Sequence, residues 1–191
     1  MMDAFLVSTG LVALAEVGDR TQLLAFLLAA RYKKPLPIIL AILLATLANH
    51  GVAGWFGTWL TSVMTPETLR WLLGISFLAM AAWMLKPDEL DDAKATATRF
   101  GVFGTTFITF FIAEIGDKTQ IATVALAAQY QSLLWVVVGT TLGMMIANVP
   151  AVYAGDKLAH KLPVSLIHKI AAAIFAMLGI AVLMGMGQSL L

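Results

Sequence analysis

Two seven-residue stretches, EVGDRTQ at 16–22 and EIGDKTQ at 114–120, set ionisable groups inside otherwise apolar runs. Each supplies two carboxylates, one cation, a hydroxyl and a side-chain amide: Glu16, Asp19, Arg20, Thr21 and Gln22 in the first, Glu114, Asp117, Lys118, Thr119 and Gln120 in the second. On a continuous helix Glu16 and Asp19, three positions apart, share a face, with Gln22 one further step along its edge. Two such faces brought together offer four carboxylates plus neutral oxygens, a donor set for Ca²⁺, Mg²⁺ or Mn²⁺ and not for metals that prefer sulfur or imidazole. Four carboxylates carry −4, and Arg20 with Lys118 return +2. The remaining −2 matches one divalent cation or two protons. Clustered carboxylates titrate as a group, so metal and protons should compete for the same oxygens.

The elements that must position these groups are membrane helices. Of the 191 residues 60% are hydrophobic and 12% charged, with a mean hydropathy of +0.89, well beyond what a soluble domain needs to fill one core. The net charge of +1 offers no basic surface for nucleic acid, and the absence of cysteine removes disulfides, thiolate metal sites and thiol catalysis. The N-terminal run has no basic leader and continues through a polar motif, so it reads as a mature helix and not a cleaved signal. Spans of roughly 20 apolar residues fall at about 4–30, 36–60, 67–85, 101–128, 133–155 and 165–187. Thr65-Pro66-Glu67 reads as an N-cap with proline at the first helical position.

Lysine and arginine gather on one side of these six spans. Arg31, Lys33, Lys34, Lys86, Lys94, Arg99, Lys157, Lys161 and Lys169 stand against Arg70 alone, while Arg20 and Lys118 lie within spans. The positive-inside rule then places both termini on the non-cytoplasmic side.

The motif duplication extends outward. AARY at 29–32 answers AAQY at 127–130, and TLANHG at 46–51 answers MIANVP at 145–150. The expected fold is all-α and polytopic: two three-helix repeats, 1–85 and 101–191, joined by an acidic cytoplasmic linker at 86–100. Three spans per repeat invert the second repeat relative to the first, an architecture found in secondary transporters. Gly18 and Gly116 permit a local break or a close helix approach, and Gly51 and Pro150, just after Asn49 and Asn148, can interrupt the second and fifth spans. Carboxylates inside a membrane mark a substrate or proton path by default.

Plainer readings stand beside these. Glu16 could pair with Arg20 and Glu114 with Lys118 at a separation of four, holding helices together. Asn49 and Asn148 could bond between helices without touching a ligand. His50, answered by Val149 in the second half, suits a polar packing role; His160 and His168 suit an interfacial one; Asp88, Glu89, Asp91 and Asp92 suit a solvated linker.

Paired Glu-x-Gly-Asp-Lys/Arg-Thr motifs in a small six-helix chain resemble the cation/proton antiporter family of MneA-type bacterial manganese exporters and Golgi calcium/manganese transporters. The resemblance covers nearly the whole chain. It implies that Glu16, Asp19, Glu114 and Asp117 bind the cation; the residues themselves add Thr21, Thr119, Gln22, Gln120, Asn49 and Asn148 as further ligand or gating candidates and Arg20 and Lys118 as charge compensation. It implies export of a divalent cation from the cytoplasm in exchange for protons; Mn²⁺ is expected ahead of Ca²⁺, the partners are the cation, protons and the bilayer, and the compact length suggests a bacterial inner membrane. Neither an enzymatic activity nor a resident cofactor is expected. The alternatives are a passive divalent-cation channel and an exporter of small organic cations.

Overall fold

The computed structural model describes residues 1–86, 100–154 and 164–185. The acidic run Asp88–Asp92, His160 and most of the 86–100 linker therefore lie outside the described residues. The described chain is all-helical: α1 (Met2–Glu16), α2 (Arg20–Tyr32), α3 (Pro35–Val63), α4 (Pro66–Met84), α5 (Gly101–Glu114), α6 (Lys118–Tyr130), α7 (Leu133–Ala154) and α8 (Val164–Leu183).

The first and fourth expected spans are each broken at the motif, a correction to the continuous helices on which Glu16 and Asp19 would share a face. α1 ends at Glu16, Val17 turns extended, and Gly18 takes φ +81°, a conformation that a side chain would oppose. Asp19 then caps α2, its carboxylate accepting from the Arg20 amide at 2.9 Å. The second copy repeats this: α5 ends at Glu114, Ile115 is extended, Gly116 has φ +75° and Asp117 caps α6. A helix start favours a carboxylate beside its free amides, so each motif aspartate satisfies local backbone while reaching the interior.

The expected interruptions at Gly51 and Pro150 do not occur. α3 runs through Gly51, and α7 carries Pro150 inside it, four residues before its end. Thr65 does cap α4, accepting from the Thr68 amide at 3.3 Å, with Pro66 at the first position.

Among the described residues three helices, Pro35–Val63, Leu133–Tyr153 and Val164–Leu183, are long and apolar enough to cross a bilayer alone, and Gly101–Glu114 is a shorter apolar helix. Polarity is inverted relative to a soluble domain. On α3, Leu36, Leu40, Leu44 and Leu47 face outward, while Thr46, Asn49 and His50 are buried. That arrangement suits a hydrocarbon exterior.

The tertiary contacts interlace the two sequence halves. α1 packs on α7 and α2 also meets α7, while α5 and α6 pack on α3. Gly139 and Gly143 of α7 admit the α1 backbone closely; a side chain at either would begin 2.7 Å from the carbonyl of Phe5 or Thr9. α4 and α8 pair with one another beside this core.

Candidate functional site

The two helix breaks meet in the interior. Glu16, Asp19, Glu114 and Asp117 are all buried. Three of them, Glu16, Asp19 and Asp117, each offer an oxygen within 4.8 Å of the other two, which is the spacing of ligands around one cation. Glu114, the fourth buried carboxylate, is not one of this triplet and ends α5 at the second break.

The motif cations reach across between the halves. Arg20 Nη2 lies 3.3 Å from Asp117 Oδ1 and donates to the Ala113 carbonyl, while Lys118 Nζ lies 3.5 Å from Asp19 Oδ1. The pairing of Glu16 with Arg20 and of Glu114 with Lys118 along one helix is thus corrected: the break removes the helical turn that such pairs require. The exchange leaves both glutamates to neutral donors. Thr21 donates to Glu16 Oε1, and Thr119 donates to Glu114 Oε2 at 3.1 Å. Among the described residues Glu16 Oε2 and Glu114 Oε1 have no hydrogen-bond partner, although both are buried. A buried carboxylate oxygen without a donor is costly unless a proton or cation completes it.

The repeat-related neutral residues divide by role. Gln22 Oε1 accepts from the Gly18 amide at 2.9 Å and Gln120 Oε1 from the Gly116 amide at 2.7 Å, so both amides brace their own breaks. Gln22 also donates to the Ala147 carbonyl on α7 at 2.9 Å. Asn148 donates to Glu16 Oε1 at 3.2 Å, and among the described residues its carbonyl oxygen has no partner. Asn49 instead donates to the Phe111 carbonyl at 3.0 Å, a bond between helices. His50 meets Thr140 across α3 and α7, Nδ1 to Oγ1 at 2.9 Å.

His168 belongs to the protein interior beside the first break. It is buried, and Nε2–H donates to the Val17 carbonyl at 2.7 Å, directly beside the first break. Sequence reading passed over it because a lone histidine near a basic connector looks like a surface group. Its one available signal was its place 98 residues after Arg70, the shift that relates the two motifs.

Comparison with known proteins follows this geometry closely. The profile of the family described as "Divalent cation/proton antiporter GDT1" matches residues 4–92 and 102–189, each match containing one copy of the motif. A Vibrio cholerae protein named "Putative manganese exporter" is 54% identical over 182 residues, covering 95% of this chain and 90% of its own length. A Synechocystis GDT1-like protein is 31% identical, over 85% of this chain and 87% of its own. A rice protein named "GDT1-like protein 3" is 28% identical, over 92% and 71%. No solved structure matches the chain.

Proposed function

Because the chain belongs to the GDT1 family of divalent cation/proton antiporters, we propose that it exports Mn²⁺ from the cytoplasm in exchange for protons by alternating access. The carrying observation is the convergence of Glu16, Asp19 and Asp117 oxygens within 4.8 Å at the meeting point of two repeated helix breaks. Glu114 joins them as the fourth carboxylate. The set is all oxygen and admits Ca²⁺ as a second cargo; the name of the Vibrio relative favours Mn²⁺.

Charge decides the coupling. The four carboxylates carry −4, and Arg20 and Lys118, held against Asp117 and Asp19, return +2. One divalent cation or two protons neutralise the remainder, and either fills the unpartnered oxygens of Glu16 and Glu114. In this reading Asn148, whose carbonyl oxygen has no partner among the described residues and whose amide bonds Glu16, adds a neutral ligand. Thr21 and Thr119 orient the glutamates, and Gln22 and Gln120 keep the breaks open. Asn49 serves packing.

The wider architecture is part of the proposal. Six membrane crossings, two of them by the broken pairs α1–α2 and α5–α6, form inverted repeats over 1–85 and 101–191. Both termini then lie outside an inner membrane and the 86–100 linker inside. The test is uptake of Mn²⁺, Ca²⁺ or lysine into proteoliposomes under an imposed pH gradient. Mn²⁺ movement driven by protons and lost in Glu16→Gln and Asp117→Asn is the expected result. Flux indifferent to the gradient would instead favour a passive pore, and lysine transport an organic-cation exporter.

A further inference from the structure

The 98-residue shift that carries Arg20 onto Lys118 also carries Pro35 onto Leu133 and Pro66 onto Val164, so the starts of α2, α3 and α4 coincide with those of α6, α7 and α8. The same shift relates Arg70 to His168, Phe77 to Phe175 and Met84 to Val182. The equivalent phenylalanines pack together with ring centroids 6.3 Å apart, and Gly74 meets Gly179 and Leu183. Contacts in this order run the two helices antiparallel. The α4–α8 pair thus has two equivalent ends: Met84 and Leu85 with the start of α8, and the start of α4 with Val182.

The equivalent ends are engaged differently. At the first, a cavity of about 240 Å³ is bounded by Met84, Ser165, His168 and Gly18. Here Val164 occupies the place where a side chain on Gly18 would project, and His168 donates to the Val17 carbonyl at 2.7 Å. At the second, a cavity of about 300 Å³ separates Pro66 and Arg70 from the last turn of α6 at Gln129. Among the described residues Arg70 makes no hydrogen bond or ion pair, and its buried Nε has no partner. Among the described residues nothing lies within 4 Å of the position a side chain on Gly116 would take.

Ile115 has the backbone conformation of Val17, φ −65° and ψ 117° against φ −63° and ψ 119°, so the second break presents an equivalent carbonyl. We propose that the α4–α8 pair is a two-ended gate that covers one motif break at a time. This structure holds the end closed over Gly18; the opposite state carries the start of α4 roughly 20 Å along α6, from Gln129 to Gly116, seats Pro66 there, brings Arg70 to the Ile115 carbonyl and withdraws Val164 and His168 from the first break. A carbonyl at a helix break needs a donor where water is scarce. Exchanging His168 at one break for Arg70 at the other keeps the number of such bonds constant, and two states of similar energy are what a transport cycle requires. The proposal rests on the alternating-access reading above and adds the residues that carry it.

The test uses the full chain in sealed vesicles, where the absence of native cysteine leaves introduced pairs clean. Val17→Cys with Val164→Cys should couple through a short bismaleimide at rest. Ile115→Cys with Pro66→Cys should couple once a proton gradient drives exchange. Either cross-link should reduce Mn²⁺ flux at least tenfold. As single changes, Arg70→Gln should raise coupling of the first pair and His168→Gln should lower it. Failure of the second pair to couple in protein that still transports, flux unaffected by both cross-links, or coupling unmoved by both single changes overturns the gate. Equilibrium Mn²⁺ binding separates the two readings: its absence while both pairs still couple in turn sinks the cation assignment and leaves the gate standing.

Discussion

Lys118→Met should destabilise the fold several times more than Arg20→Met, although the two cations occupy equivalent positions in the repeats. The Lys118 side chain is 1% exposed and sits 3.5 Å from a fully buried Asp19 oxygen, whereas the Arg20 side chain is 43% exposed beside Asp117. At an effective dielectric of 20, a pair at the Lys118 distance attracts by about 5 kcal/mol. Removing one partner of such a buried pair costs roughly 3–5 kcal/mol, because the other charge stays stranded. Where water reaches the open side of Arg20, screening limits its loss to about 1 kcal/mol. Unfolding in mixed micelles with rising SDS, followed by circular dichroism, measures both. The double variant Asp19→Asn with Lys118→Met should recover most of the stability, since it removes the stranded charge and asparagine still caps α2, yet it should not recover Mn²⁺ binding. Equal losses from the two single changes, or a larger one from Arg20→Met, would refute the inequality of the sites. No recovery in the double variant would refute its electrostatic origin.

The remaining predictions concern the breaks, the coupling and the topology. Gly18→Ala and Gly116→Ala share the strain of a positive φ, about 1–2 kcal/mol each, but only Gly18 faces Val164; Gly18→Ala should lose the greater part of its flux, and Val164→Ala should restore some of it. Acid should weaken Mn²⁺ binding, since protons occupy the carboxylates the metal needs; if two protons compete with one cation, titration calorimetry should find a fall approaching roughly a hundredfold per pH unit, and a flat profile would separate proton from metal. Exchange of one divalent cation for two protons should barely respond to voltage clamped with potassium and valinomycin, whereas each uncompensated charge would contribute about 2.3 kcal/mol per 100 mV. Labelling should reach Glu67→Cys from outside intact cells and Lys86→Cys only from within; the reverse pattern would invert the assigned direction of transport.

The amino-acid sequence by itself determined what depends on composition and local pattern. Its apolar content required helices, the Thr65-Pro66 pair marked the start of α4, and the duplicated motif named the carboxylates that the interior gathers. These features are legible because a helix satisfies its own backbone, and because a repeat needs no tertiary contact to be recognised. The breaks were legible only as options. A glycine tolerates both continuation and positive φ, and Pro150, with the same licence to interrupt, remains inside a helix.

Tertiary structure made the choices. A broken helix exposes amides and carbonyls, and it persists in an apolar surrounding only where those groups find partners. Gln22 and Gln120 provide some from within each motif, but Arg20 reaches Asp117 97 positions away, Asn148 reaches Glu16 132 away and His168 reaches Val17 151 away. The same interlacing turned Arg20 and Lys118 from the glutamates four positions back to the aspartates of the opposite motif, and it set Asn148 in the site while leaving Asn49 as a bond between helices. Spacing along one helix cannot report such pairings, because the break that abolishes the local geometry is itself stabilised by residues from the other half of the chain.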